Sequence, residues 1–143
     1  MERKYGRPMT LINWSSDLSV GVGEVDRQHK VLIQMINDLN EAMSQRKGKE
    51  AAGKVIDGLV NYTVEHFAFE EKIFARTNYP LRGAHVAEHV NFVKKVSDFR
   101  DSYSRGTLGL SIDVMAFLSA WLKSHINGTD KKYTAHMNAN GIN

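Results

Sequence analysis

The sequence contains no cysteine. That absence removes disulfides, thiolate metal sites, iron–sulfur clusters and cysteine nucleophiles together, so any metal held here must be held by nitrogen and oxygen. Proline occurs only at Pro8 and Pro80, which leaves long helices open to the chain between and after them. No apolar run approaches the roughly 20 residues needed to span a bilayer, and no membrane insertion is expected. The opening Met1-Glu2-Arg3-Lys4 lacks the apolar stretch and small-residue cleavage site of a signal peptide, so cytoplasmic residence is the expectation. There is no Gly-rich phosphate loop, no G-x-S-x-G elbow and no H-E-x-x-H pair.

What is present fits a soluble globular protein of one domain: 143 residues, 42% hydrophobic and 24% charged. A chain of this size buries roughly 70% of its unfolded surface, enough for a core without staples. The formal charge is +3, but the basic residues are scattered, with only short clusters such as Lys94-Lys95 and Lys131-Lys132. Scattered lysines on helices mark a solvated face, and no nucleic-acid partner is expected.

Residues 1–23 read as a non-helical arm packing on a helical body that fills 24–143. Four helices are predicted: about Glu24 to Gln45, about Lys49 to Arg76, about Leu81 to Ser104, and from Leu110 or Ser111 to at least Ile126, with a possible extension to Met137. Thr77-Asn78-Tyr79-Pro80 stops the second, because proline disfavours helix in the residue before it. Apolar residues recur by alternating steps of three and four. The stripes are Val25, His29, Leu32, Ile36, Leu39, Met43; then Val55, Leu59, Tyr62, His66, Phe69, Ile73. The third and fourth are His85, His89, Phe92, Val96, Phe99, Tyr103 and Val114, Leu118, Trp121, His125. Short connections make neighbours antiparallel, so the fold class is all-α, an up-down-up-down antiparallel four-helix bundle. Met35, Met43 and Met115 read as core filler.

Five of six histidines, His29, His66, His85, His89 and His125, fall on inward stripes; His136 reads as an exposed or tail residue. A buried imidazole brings a donor and an acceptor that both need partners, and coordination to a metal takes up the acceptor. His66 and Glu70 stand at i and i+4 on one helix face, as do His85 and His89. His125 and Asp130 are five apart, about 140° off on a regular helix, so the aspartate needs a local widening or a break of the helix, which Gly128 makes feasible. Five imidazoles and two carboxylates exceed one ion's needs and suit two near-octahedral ions, with Glu70 and Asp130 bridging. Zinc is content with four ligands; a nitrogen-rich, thiolate-free set points to iron ahead of manganese. Each ligating imidazole should also donate its other N–H to a carbonyl or carboxylate. Glu65, Glu71 and Glu88 flank these positions but turn off them by about 100° per residue, and read as solvated.

The order His29, His66-x-x-x-Glu70, His85-x-x-x-His89, His125-x-x-x-x-Asp130 resembles the ligand pattern of the hemerythrins. The text around it is similar too, at Trp14 to Val22, Asp26-Arg27-Gln28-His29-Lys30 and His125 to Tyr133, and the resemblance runs from about residue 11 to 135. It implies a non-haem diiron centre with an oxo or hydroxo bridge. His85, His89 and His125 would serve one iron and His29 and His66 the other, which is left a ligand short for molecular oxygen. It further implies an oxygen pocket of Leu32, Phe67, Trp121, Leu122 and Ile126, although core packing explains the same residues. The expected activity is reversible oxygen binding by a monomeric carrier or store, not an enzyme, with delivery to an oxygen-using partner enzyme conceivable. Two other readings stand beside it: an oxygen, redox or iron sensor module, and a diiron enzyme acting on peroxide or nitric oxide. Sensors of the family are usually fused to a signalling domain, for which 143 residues leave no room. Diiron oxidases use a carboxylate-rich set with two Glu-x-x-His pairs.

Overall fold

A computed structural model describes residues 12–44, 49–106 and 112–143. Four long helices carry the chain: α1 (Gly23–Ser44), α2 (Lys49–Thr77), α3 (Arg82–Ser104) and α4 (Ile112–Ser124). The chain then continues without a break through a π-helical turn at His125–Thr129, a 3₁₀ turn at Asp130–Tyr133 and a last short helix, α5 (Thr134–Ala139). No strand occurs among the described residues. The predicted end of the first helix at Gln45 and start of the fourth at Leu110 or Ser111 lie outside the described residues, as do the side chains of Met43 and Val114.

The helices alternate in direction, as their facing pairs show. Between α2 and α3, Phe74 meets His85, Phe67 meets Phe92 and Gly53 meets Tyr103. Between α3 and α4, Phe92 stacks on Trp121 and Phe99 meets Phe117. In both series one residue number rises as the other falls, which makes an antiparallel four-helix bundle. The turn from α2 to α3 is set by Asn78, whose φ of 54° is left-handed. Tyr79 N–H then reaches back to Phe74 C=O at 3.0 Å, the bond that closes a helix of this ending.

Buried residues follow the predicted stripes on α1 and α3, with Phe99 and Tyr103 only half-buried. On α2 the centre of the buried face is turned by about one residue. Val55, Tyr62 and Phe69 are half-buried, while Ile56, Thr63, Phe67, Glu70 and Phe74 are buried. The buried face of α2, which packs against both α1 and α3, is wider than a single stripe.

The chain before α1 is held on the bundle at several points. Ile12 N–H donates to Asn37 Oδ1 at 3.2 Å, and Asn37 Nδ2 donates to Ile12 C=O at 2.9 Å. Thr134 Oγ1 donates to Val20 C=O at 2.6 Å, and Lys131 Nζ donates to Asp17 C=O. Gly21 sits at φ +74°, and a Cβ there would lie 2.7 Å from Thr134 Cγ2. Only glycine suits both demands. Asp26, in the first turn of α1, accepts from Val20 N–H and Ser19 Oγ and so fixes the entry into the helix.

Candidate metal centre

The seven residues singled out by spacing meet at one level of the bundle, and all seven are buried. α1 supplies His29, α2 supplies His66 and Glu70, and α3 supplies His85 and His89. The stretch after α4 supplies His125 and Asp130. The π turn does what an α-helix could not. Asp130 N–H bonds to His125 C=O, five residues back, and the extra residue brings the carboxylate round under the imidazole. Asp130 Oδ1 lies 3.1 Å from His125 Nε2 and 2.9 Å from His85 Nε2, while its Oδ2 lies 3.1 Å from His29 Nε2. Glu70 Oε1 stands 3.2 Å from His89 Nε2, 3.7 Å from His66 Nε2 and 3.8 Å from His85 Nε2.

These short approaches are not hydrogen bonds in geometry. His29, His85, His89 and His125 Nε2, Glu70 Oε1 and both Asp130 oxygens are buried without a hydrogen-bond partner. Each unpartnered buried polar atom costs about 1–3 kcal/mol, so their convergence on one point calls for an occupant. The atoms form two overlapping groups that could each hold a metal ion: Glu70, His85, His89, His125 and Asp130, and His29, His66 and Glu70. Glu70 belongs to both groups, and Asp130 faces members of both through its two oxygens.

Electrostatics describe a site strained by its own burial. Burial pulls the His66 and His89 imidazoles down to about 4. Burial and the Asp130 charge push the Glu70 carboxyl up. Burial also works against charge on Asp130, but the imidazoles of His125, His29 and His85 crowded against it outweigh that and hold the carboxyl well below its usual range. For His125 burial is again overcome, chiefly by Asp130 and then by Glu70 and Glu88, and the imidazole rises to about 8.

The outward side of the site was less legible. Glu71 and Glu88 read from sequence as solvated, and that needs correcting. Each is partly exposed, yet Glu71 Oε2 accepts from His89 Nδ1 at 2.9 Å and Glu88 Oε1 accepts from His125 Nδ1 at 2.8 Å. Glu65 is exposed, as expected. Gln28 donates to Glu24 at 2.8 Å, so its carbonyl oxygen faces His66 and accepts from Nδ1 at 2.7 Å. Tyr133 OH donates to Glu70 Oε2 at 2.6 Å. None of these partners follows from spacing within a helix, because each lies on another element and pairs through the register between helices. His136 is half-buried rather than free: its Nε2–H donates to Thr77 C=O at 2.9 Å and so caps the end of α2.

Of the expected pocket residues, Phe67 stacks on the His89 ring at 3.6 Å and Trp121 on the His125 ring at 4.4 Å. Phe67 is buried and Trp121 half-buried. Leu32 lies one turn on from His29, and Leu122 and Ile126 flank His125 in the chain; all three are buried. A cleft of about 440 Å³ between α2 and α3, walled by Val64, Ala68, Val90 and Val93, reaches Phe67 and His89 from outside.

Residues 20–136 match the family model described as the hemerythrin HHE cation binding domain. The chain belongs to the hemerythrin family. Among its relatives, a bacteriohemerythrin of Stenotrophomonas maltophilia (strain R551-3) is 38% identical over 91% of this chain and 86% of its own. A bacteriohemerythrin of Methylococcus capsulatus (Bath strain) is 32% identical over 87% of this chain and 95% of its own. A wild-type hemerythrin crystal structure superposes with a TM-score of 0.84 at 30% identity, covering 89% of this chain and 98% of that one. The hemerythrin fold and a buried His/Glu/Asp cluster able to hold metal therefore stand together. Among the described residues no helix is long and apolar enough to cross a membrane.

Proposed function

We propose that this chain binds molecular oxygen reversibly at two iron ions held by His29, His66, Glu70, His85, His89, His125 and Asp130. The observation that carries the reading is the set of buried nitrogen and oxygen atoms turned on one point with no hydrogen-bond partner. Their chemistry fits a pair of iron ions: no thiolate, five neutral imidazoles, and two carboxylates that each face both groups. When bound, ferrous iron supplies the electrons that oxygen draws on as it binds and gives back as it leaves. His85, His89 and His125 would hold one ion, and His29 and His66, with one histidine fewer, would hold the other and leave it room for oxygen. Phe67, Trp121, Leu32, Leu122 and Ile126 surround the site with apolar surface that excludes water and stray protons. The small carboxylate count supports a carrier or store over oxidase chemistry, which relies on a carboxylate-rich set.

A visible spectrum of the reduced iron protein under nitrogen, then air, then nitrogen tests this. A charge-transfer band that appears in air and leaves under nitrogen is expected. Irreversible oxidation with release of peroxide would favour an enzyme, and a protein that takes up no iron would remove the reading.

A further inference from the structure

The outward-facing ring nitrogens of the donor imidazoles are not served alike. In the group of His85, His89 and His125, two of the three rings donate to carboxylates, His89 to Glu71 and His125 to Glu88. Thr129 Oγ1 also donates to Glu88, at 2.9 Å, and holds it in place. Neither carboxylate forms an ion pair with a lysine or arginine among the described residues. The group of His29 and His66 differs. His66 donates to the neutral amide of Gln28, and the carboxylate behind that amide, Glu24, is paired with Arg27 at 2.5 Å. His29 Nδ1 and His85 Nδ1 have no partner, so the contrast is two carboxylate-backed rings in one group against none in the other.

A carboxylate that accepts the outer N–H of an imidazole pushes electron density toward the inner nitrogen and makes it a stronger donor. A neutral amide orients the ring but pushes far less. Resting on the two-iron reading, we propose that Glu71 and Glu88 are positioning residues that make the two metal positions electronically unequal. The three-histidine position is the electron-rich one, favouring the more oxidised ion. The two-histidine position, supported by Gln28 alone, stays the more electron-poor and is the one left to take a ligand. The inequality is written in residues beyond the donors themselves, on α2 and α3.

The test uses the full-length iron-loaded chain with Glu71→Gln, Glu88→Gln and the double substitution. Glutamine preserves shape and an accepting oxygen while removing the charge. Glu65→Gln serves as the control, since it removes an equal charge from the exposed face of the same helix without touching an imidazole. Two readouts are taken: the reduction potential by spectroelectrochemistry, and iron retention against a chelator. Each single change is expected to weaken the preference for ferric iron by up to tenfold, a rise of about 59 mV for one electron. The double change should rise further, with iron retention reduced about 10–100-fold. Glu65→Gln should move neither.

Unchanged potentials in iron-loaded Glu71→Gln and Glu88→Gln would overturn the inference and leave the proposed function standing. An equal shift in Glu65→Gln would overturn it too, because the cause would be charge at a distance. If the unsubstituted chain takes up no iron pair, the proposed function fails and the inference falls with it.

Discussion

Two layers of the bundle, two helical turns apart, are built from corresponding positions and do opposite things. One layer carries His29, His66, His89 and His125. Seven residues along each helix, forward on α1 and α3 and backward on α2 and α4, lie Ile36, Leu59, Val96 and Leu118, all at 2% exposure or less. The second layer needs nothing but its neighbours: each such side chain is worth about 1.5–3 kcal/mol on burial. The first layer buries polar atoms with no hydrogen-bond partner among the protein's own groups, in an arrangement that could hold metal. The same helix register thus yields a self-sufficient core at one level and a candidate metal site at the next. Stability and function are separable along the bundle axis.

The largest effect that would break the contrast comes from Glu70→Ala. Glu70 is the one residue common to both donor groups, so metal content should fall to near zero, read by elemental analysis after reconstitution. Iron retained at two ions per chain would mean that the donors were wrongly chosen. In the apolar layer, Leu59→Ala should cost about 2–5 kcal/mol in denaturant unfolding yet leave iron stoichiometry unchanged. A loss of metal there would show that the two layers are coupled.

How much of this was open to a reader of the sequence alone divides along the same line. The helix-forming period and the stop at Asn78-Tyr79-Pro80 were legible because each depends on spacing within one helix, and the convergence of the seven side chains was legible from the inward stripes together with the resemblance to the hemerythrins. The five-residue offset from His125 to Asp130 called for a widening or a break of the helix, and the structure has the widening, a π turn. What was hidden depends on register between helices. Glu71 facing His89, Glu88 facing His125, Gln28 facing His66 and Tyr133 facing Glu70 are pairs between different elements, and no periodicity within a helix reports them.

Acid sharpens the comparison further, because only the donor layer titrates. Without metal, His125 is lifted to about 8 and so carries a proton at neutral pH, whereas His66 and His89, pulled down to about 4, do not. Metal must displace the His125 proton, so affinity should fall roughly tenfold per proton for each pH unit below that imidazole's value. Above it the dependence should flatten. Titrating metal into weakly buffered protein at pH 7 should release acid, and affinity that stays constant between pH 6 and 8 would contradict the assignment. The smallest effect is expected from His136→Ala, which removes the cap on Thr77 C=O. It should cost about 1 kcal/mol and leave iron content and spectrum untouched; a spectral change would draw the C-terminal helix into the site.

The central claim is that two ions sit between seven side chains of this bundle. Anomalous difference maps from crystals of the iron-loaded chain, collected on both sides of the iron absorption edge, address it directly. Two peaks are expected inside the bundle, one among His85, His89 and His125, the other beside His29 and His66, with Glu70 and Asp130 reaching both. A single peak, or peaks away from these residues, would contradict it.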